Sequence, residues 1–323
     1  MSDRLRRAFD AGLPLPEPPG QLVLWQPAFG MDLSVFDGAA LQIVHDLMPD
    51  AAAFETAGYP ATQTLPDGNV ELAIVHLPRS KAAARDRIAR AAQIAKTVAV
   101  DGQKTDGIDA LLRDVRRRVP VDGTVSKSHG KLFWFSGGDF DDWHARDGVI
   151  DGRWQVAAGV FSADGIDPGS CMLAAALPCT LSGQIADLGA GWGFLAGSAL
   201  ENCPKISSLH LVEAQASALS CAKRNVSDPR ARFHWADAIA WTGADRLDAV
   251  IMNPPFHTGR KADMSLGQSF VQSAARLLRK KGDMWMVANR HLKYEPAIVD
   301  HFGGFEEIAG DTRYKVLHAR KMQ

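Results

Sequence analysis

The feature that most constrains the fold is a regular alternation of strand-like and helix-like segments in the second half of the chain. The strand-like segments are GQIADLGAGWG (183–193), ISSLHLVEA (206–214), ARFHWADA (231–238), LDAVIMN (247–253) and DMWMVAN (283–289). Helix-like segments separate most of them, including LGQSFVQSAARLLRKKG (266–282), which is predicted to end on its basic residues and Gly282. Because consecutive parallel strands need crossover helices, this order predicts a mostly parallel, doubly wound α/β sheet. The last segment, 304–321, is predicted to form two strands joined at Gly310-Asp311, which gives the sheet an antiparallel edge.

The first half of the chain repeats part of this order. Residues 98–137 run strand, loop, helix, basic turn and aromatic strand, as residues 286–321 do, and 69–88 occupies the place of the segment that starts at Leu247. The pattern predicts two tandem domains of the same Rossmann-like type, 1–145 and 155–323, of which the first copy has kept the scaffold and lost the chemistry. The boundary is predicted in the polar, glycine-containing stretch 144–154.

Composition excludes several classes of protein. The chain has 36 basic and 37 acidic residues, so any surface for nucleic acid is a local patch. The four cysteines have neither metal-ligand spacing nor a CxxC pair, and no signal peptide or long apolar span is recognisable. We therefore expect buried, reduced thiols, no metal, no membrane association and a cytoplasmic protein.

A glycine-rich turn follows the strand that starts at Gly183. Gly189, Gly191 and Gly193 let the backbone approach a ligand, and the following helix offers unpaired N–H groups. The turn also satisfies the loose GxGxxA pattern of nicotinamide dehydrogenases. Glu213, at the end of the next strand, can accept hydrogen bonds from both ribose hydroxyls of an adenosine, which suits either class of cofactor.

Two polar side chains end the third and fourth strands. Asp237 is placed to meet the exocyclic amine of an adenine, or alternatively to cap the next helix. Asn253-Pro254-Pro255-Phe256 is a rigid loop, because proline cannot donate to a sheet and restricts the residue before it. The Asn253 side-chain oxygen and the Pro254 carbonyl can accept hydrogen bonds from a planar amine, direct its lone pair and stabilise the positive charge that develops on the nitrogen during methyl transfer. Phe256 can stack on the base, and a dehydrogenase has no use for such a loop.

With these motifs the sequence resembles the class I S-adenosylmethionine-dependent methyltransferases. More narrowly, it resembles the bacterial guanine-N2 methyltransferases of small-subunit ribosomal RNA, in which a degenerate amino-terminal copy precedes an active domain. The resemblance rests on GVFSADGIDPGS (159–170), DLGAGWG (187–193), NPPFH (253–257), VAN (287–289) and TRYKV (312–316). The motif NPPF also occurs in methyltransferases that act on adenine N6 or on protein glutamine, so these targets remain alternatives. A catalytically silent RNA-binding or ribosome-assembly factor is the alternative of another class.

The resemblance implies an S-adenosylmethionine site and a ribosomal RNA or small-subunit substrate. The implied cofactor residues are Asp187, Gly189, Ala190, Gly191, Glu213, Asp237, Ala238 and Asn253, and the implied catalytic residues are Asn253, Pro254, Pro255 and Phe256. Asp167-Pro168 predicts a helix start, and the preceding loop places Phe161 over the methionine end of the cofactor. Arg313, Tyr314 and Lys315 form a basic-aromatic patch suited to RNA contact. Trp192 departs from the family pattern, which has a small residue there.

Overall fold

The computed structural model describes residues 3–17, 20–36, 40–68, 70–244, 246–255, 257–258, 261–262 and 264–322. The chain divides into two compact units, Met1–Asp147 and Gly148–Gln323. Within the described helices, none is long and apolar enough to cross a bilayer.

The first unit is an α/β unit built on one sheet. Its described strands are β1 (Gln21–Trp25), β2 (Ala40–Val44), β3 (Ala61–Thr62), β4 (Val70–His76), β5 (Ala95–Gln103), β6 (Gly123–Lys127) and β7 (Gly130–Ser136). Its described helices are α1 (Asp3–Asp10), α2 (Met48–Thr56), α3 (Lys81–Ile94) and α4 (Ile108–Arg116), with short 3-10 turns at Ser34–Phe36, Lys104–Asp106 and Asp141–Trp143. The strand order is β3-β2-β1-β4-β5-β7-β6, and β7 is antiparallel to both of its neighbours.

The second unit begins with a hairpin of β8 (Gly148–Ile150) and β9 (Trp154–Val156). Its further described strands are β10 (Gly183–Leu188), β11 (Ile206–Glu213), β12 (Ala231–Trp235), β13 (Leu247–Met252), β14 (His257–Thr258), β15 (Lys261–Ala262), β16 (Leu278–Asn289), β17 (Glu306–Gly310) and β18 (Tyr314–Arg320). Its described helices are α5 (Pro168–Ala176), α6 (Phe194–Asn202), α7 (Ala216–Asn225), α8 (Met264–Leu277) and α9 (Glu295–Phe302). The main sheet has the order β12-β11-β10-β13-β16-β18-β17, and β18 is antiparallel to both of its neighbours.

The two sheets share one topology. Counted along the described strands of each sheet, the spatial order is third, second, first, fourth, fifth, seventh, sixth in both. This repeat confirms the predicted fold class of two Rossmann-like domains with mostly parallel sheets and an antiparallel carboxy-terminal hairpin. The order reverses between β10 and β13, which is where doubly wound sheets bind their ligands.

Both faces of the second sheet are buried, as a doubly wound arrangement requires. Leu188 and Met252 pack with Phe270 of α8 on one face. Ile185 and Ile251 pack with the residues of α6 on the other. The burial of successive strand residues on opposite faces explains why these strands are continuous apolar runs in the sequence.

The end of α8 differs from the prediction. The helix ends at Leu277, and residues 278–282 continue as the first part of β16 instead of the last helical turn. Leu278 pairs with Leu247, and the Lys281 amide donates to the carbonyl oxygen of Lys321 at 2.9 Å. These sheet contacts override the local helical pattern. The backbone adopts a left-handed conformation at Lys281, whose φ is 62°.

The cysteines also differ in part from expectation. Cys203 and Cys221 are buried, whereas Cys171 on α5 and Cys179 in the following loop are exposed. The expectation of four buried thiols is therefore wrong for two of them. Among the described residues, no cluster of three or more histidine, cysteine or acidic side chains is arranged to hold a metal.

Candidate cofactor and target-base site

The glycine-rich turn joins β10 to α6 at the reversal of strand order. The Gly189 amide donates to the Val212 carbonyl oxygen at 2.9 Å, which ties the turn to the end of β11. Gly193 has a φ of 91°, and a Cβ placed on it would lie 3.0 Å from a methyl carbon of Val226. Gly191 has a φ of 55°, and a Cβ on it would meet no atom within 4 Å. The backbone at Gly191 therefore faces open space that a ligand can use.

Glu213 lies directly against this turn. One carboxylate oxygen accepts from the Gly191 amide at 2.8 Å, and the other accepts from the Gln215 amide at 2.7 Å. These two bonds hold the carboxylate at the carboxyl end of β11.

Asp187 is the acidic residue of the site with the most unusual environment. It is completely buried, and neither of its carboxylate oxygens makes a hydrogen bond of good geometry within the described residues. Burial, with a smaller contribution from the Glu213 carboxylate, raises the pKa of Asp187 to about 8, and the Ala196 amide acts in the opposite direction. The group is thus predominantly protonated at neutral pH. This buried polar group lacks good partners, and it lies close in sequence to Gly191, where an added Cβ would meet open space. Both features fit a site that a polar ligand completes.

Asp237 follows β12, so Asp187, Glu213 and Asp237 come at the carboxyl ends of three adjacent parallel strands. One oxygen of Asp237 accepts from the Ile239 amide at 2.9 Å, while its own carbonyl accepts from the Ala240 and Trp241 amides. The side chain therefore closes a local turn and does not cap a helix, because the next described element is the strand β13, and it remains half-buried at the sheet edge.

Asn253 leaves β13 beside the first turn of α5. Its Nδ2 donates to Asp167 Oδ2 at 2.9 Å and to Ser170 Oγ at 2.8 Å. The same Asp167 oxygen accepts from the Ser170 amide at 2.7 Å, so Asp167 is the N-cap of α5, as predicted. A Cβ added to Gly189 would lie 3.9 Å from Pro255 Cδ, which brings the proline loop next to the glycine turn.

The remaining predicted site residues belong to the proline loop and to the part of the site that is expected to hold the cofactor. Pro254 is buried and Pro255 is exposed. Phe256, predicted to stack on the base, lies outside the described residues. Ala190 and Ala238 are both buried.

Trp192 connects the glycine turn to the loop that carries Phe161. Its indole Nε1 donates to the Phe161 carbonyl oxygen at 3.0 Å, and its ring packs against Trp154 and Phe194 with centroids 5.6 and 5.8 Å apart. The bulky residue in the glycine turn is thus part of a buried aromatic cluster at the edge of the site. The Phe161 side chain is 53% exposed. A single pocket includes Phe161, Asp167, Ser170, Gly189, Ala190, Gly191, Trp192 and Asn253.

The basic-aromatic patch separates into two parts. Arg313 is exposed, with its guanidinium 5.5 Å from the centre of the Tyr314 ring, and both residues line a second pocket with Asn289 and His291. Lys315 is only 2% exposed: its ammonium donates to Glu295 at 2.5 Å and to the Leu292 carbonyl at 2.8 Å. The prediction that Lys315 contacts RNA is therefore wrong, because its side chain lies on the face of the sheet that α9 covers, where it ties β18 to α9.

Sequence reasoning did not identify Ser170 or the contact between Asp167 and Asn253. In the sequence, Asp167-Pro168-Gly169-Ser170 indicates a helix start and ends the segment 159–170 that carries the family resemblance, and neither feature assigns a role to Ser170. A carboxylate and a hydroxyl three residues apart at a helix start lie on one side of the first turn, and this spacing was the available signal.

Comparison with known proteins places the chain among methyltransferases. The family described as "Methyltransferase small domain" matches residues 153–318. A ribosomal RNA small subunit methyltransferase C from Shewanella pealeana is 30% identical over 297 residues, which cover 86% of both chains. A protein of the same name from Shewanella sp. strain MR-4 is 37% identical over 160 residues, 49% of this chain and 46% of the relative. A solved structure of the T. thermophilus 16S rRNA N2 guanine methyltransferase, in complex with AdoMet and guanosine, matches with a TM-score of 0.80 and 25% identity over 95% of this chain and 90% of that one.

Proposed function

The chain belongs to the methyltransferase small domain family, with the ribosomal RNA small subunit methyltransferases C as its relatives, and on this basis we propose how its site works. The protein is an S-adenosylmethionine-dependent RNA methyltransferase, and its reaction is methyl transfer to the exocyclic N2 amine of a guanine in small-subunit ribosomal RNA. We take ribosomal RNA or the small subunit as its partner and the cytoplasm as its place of action. The observation that carries the assignment of the site is the Asn253 amide, held beside the glycine turn with its nitrogen engaged by Asp167 and Ser170.

Among the side chains of this protein, Asn253 is the proposed catalytic residue. Because Nδ2 is occupied, the Oδ1 atom of the same planar amide is the one left to accept from a substrate amine. A guanine N2 amine is a poor nucleophile, since its lone pair is delocalised into the ring. Acceptance of its hydrogens by Asn253 Oδ1 and the Pro254 carbonyl directs the lone pair outwards and stabilises the charge that develops on nitrogen. The amine then loses a proton to water, so His257 is not needed as a base.

The cofactor-binding residues follow from the strand ends. S-adenosylmethionine supplies the methyl group as an electrophile bound to a positively charged sulfur. Glu213 accepts from the ribose hydroxyls, and Asp237 beside Ala238 receives the adenine amine. Gly189, Ala190 and Gly191 would allow close approach of the backbone in the pocket that Phe161 also lines, and Asp187 is proposed to belong to the same site. Phe256 stacks on the target base, and Arg313 with Tyr314 contacts the RNA.

The first unit is proposed to be a degenerate copy that presents the RNA. In the register of its strands, Gln26 occupies the place of Gly189: the Gln26 amide donates to Val44 as the Gly189 amide donates to Val212. By the same register His45 stands where Glu213 stands, and it is 3% exposed with Nε2 only 3.1 Å from the Pro27 carbonyl oxygen. The acidic ribose acceptor is thus replaced by a buried histidine held by the chain itself, which supports loss of cofactor binding from this copy.

The function is tested by methylation of ribosomal RNA and of small subunits with isotopically labelled S-adenosylmethionine, followed by mass spectrometry of the nucleosides. We expect N2-methylguanosine from the wild-type chain. Asn253→Ala is expected to reduce the single-turnover rate by about 100- to 1,000-fold while cofactor affinity stays within a few-fold. Asn202→Ala, which removes an exposed amide at the end of α6, is the matched control. Methylated adenine in place of guanine contradicts the proposal, as does labelled methyl that is found in protein and not in nucleosides, or a full rate for Asn253→Ala.

A further inference from the structure

The Asn253 amide has a defined direction in the folded chain. Its nitrogen faces two oxygens, Asp167 Oδ2 at 2.9 Å and Ser170 Oγ at 2.8 Å. An ionised carboxylate only accepts hydrogen bonds, so the opposite orientation of the amide would place Oδ1 against a carboxylate oxygen. The contact with Asp167 is charge-assisted and so stronger than a bond between neutral groups.

The two acceptors are themselves fixed by the start of α5. Asp167 Oδ2 accepts from the Ser170 amide as the N-cap of the helix, and Ser170 is only 8% exposed. The Tyr314 ring covers this turn closely, since a Cβ added to Gly169 would lie 3.0 Å from two of its ring carbons and from Asp167 Oδ2. The acceptor pair is therefore preorganised by a helix start and an aromatic ring, which holds the amide it contacts.

We propose that Asp167 and Ser170 are positioning residues that set the polarity of the target site by holding Asn253 Nδ2, so that only the oxygen of this amide faces the substrate. This inference rests on the proposed function and deepens it, because it makes the site an acceptor that selects an amine over a group that lacks N–H. Without the pair, the amide is free to turn and to present a donor, which repels the N–H bonds of the target nucleobase. Asp167 caps the helix by accepting from the Ser170 amide. Its bond to Asn253 Nδ2 is not needed for capping and is therefore a separate role.

Two variants separate this role from helix capping. Asp167→Ser keeps a good N-cap, but its shorter side chain no longer reaches the amide at 253. Ser170→Ala keeps the capped backbone amide and removes only the second acceptor. The double variant therefore has an intact helix start and an unheld Asn253. Ser80→Ala is the matched control, since Ser80 Oγ caps α3 in the first unit through the Ala83 amide and is remote in sequence from every proposed site residue.

The test combines a spectroscopic and a kinetic measurement on the full chain. In ¹⁵N NMR, the side-chain amide of Asn253, assigned by its loss in Asn253→Ala, is expected to show two well-separated protons that exchange slowly with solvent. In the double variant the two signals are expected to approach those of an exposed amide. The single-turnover rate at saturating RNA is expected to fall about 10- to 100-fold, as for loss of one charge-assisted hydrogen bond. Asp167→Asn, which keeps a neutral acceptor, is expected to retain a larger share of the rate than Asp167→Ser.

The KM for RNA and the calorimetric affinity for S-adenosylmethionine are expected to stay within about two-fold in the double variant, as for Ser80→Ala. An unchanged rate and an unchanged Asn253 signal in the double variant overturn the inference, even if wild-type methylation of guanine supports the proposed function. A fall in rate that accompanies an equal loss of cofactor affinity also overturns it, because the role is then structural. Absence of guanine methylation by the wild type refutes the proposed function, while the NMR signals still decide whether the amide is held.

Discussion

Asp187→Asn is expected to change the pH dependence of stability in a calculable way. The folded chain holds Asp187 protonated up to about pH 8, whereas the ordinary pKa of an aspartate is 3.8. Between these values the folded state binds one proton more than the unfolded state, so the free energy of unfolding falls as the pH rises. The slope is about 1.4 kcal/mol per pH unit, which amounts to roughly 3 kcal/mol between about pH 5 and pH 7. Asparagine has nearly the same shape and does not titrate, so the variant loses this contribution.

The measurement is urea denaturation of the wild type and of Asp187→Asn across this pH range, followed by hydrogen exchange of the β10 amides so that the second unit is observed. The free energy of unfolding of the variant, relative to that of the wild type, is expected to increase with pH. This trend does not depend on any constant difference in stability that the new amide introduces. Asp300→Asn, at an exposed position of α9, is the control. Because the Glu213 carboxylate contributes to the raised pKa, Glu213→Gln is expected to reduce the difference. Parallel pH profiles for the wild type and Asp187→Asn would refute the reasoning.

Three further predictions concern the proposed sites. Glu213→Ala removes a charged acceptor that also holds the Gly191 amide, so calorimetric affinity for S-adenosylmethionine is expected to fall about 10- to 100-fold; unchanged affinity contradicts the assignment. The full chain is expected to bind one S-adenosylmethionine, because His45 replaces the acidic residue of the first unit, and a calorimetric stoichiometry of two would disprove the degenerate-copy proposal. Arg313→Ala is expected to lower the slope of log RNA affinity against log salt by about 1, as for one lost phosphate contact, and an unchanged slope removes Arg313 from the RNA surface.

Lys315 shows where prediction from local sequence patterns fails, because it was expected at the surface and is buried. Lys315 is the last of the three residues of this basic-aromatic patch, but it lies on the face of the sheet that α9 covers, where its ammonium donates to Glu295. Which face of a hairpin is buried depends on what covers it, so the sequence alone left all three residues as candidates for RNA contact. The predicted end of α8 was wrong for a similar reason, since the pairing of Leu278 with Leu247 overrides the local helix preference.

The amino-acid sequence by itself determined the order of strands and helices, the glycine turn and the rigid proline loop. These features depend on short-range chemistry: burial of both sheet faces makes continuous apolar runs, glycine permits left-handed backbone, and proline removes a donor. Only the tertiary structure decided how the site is held together. Asp167 and Asn253 are brought within hydrogen-bonding distance because α5, packed on β16 and β18, begins next to the loop that leaves β13. Asp187 acquires its raised pKa because the folded sheet buries it next to Glu213. Direction of an amide and protonation of a carboxyl depend on neighbours distant in sequence, so no local pattern encodes them.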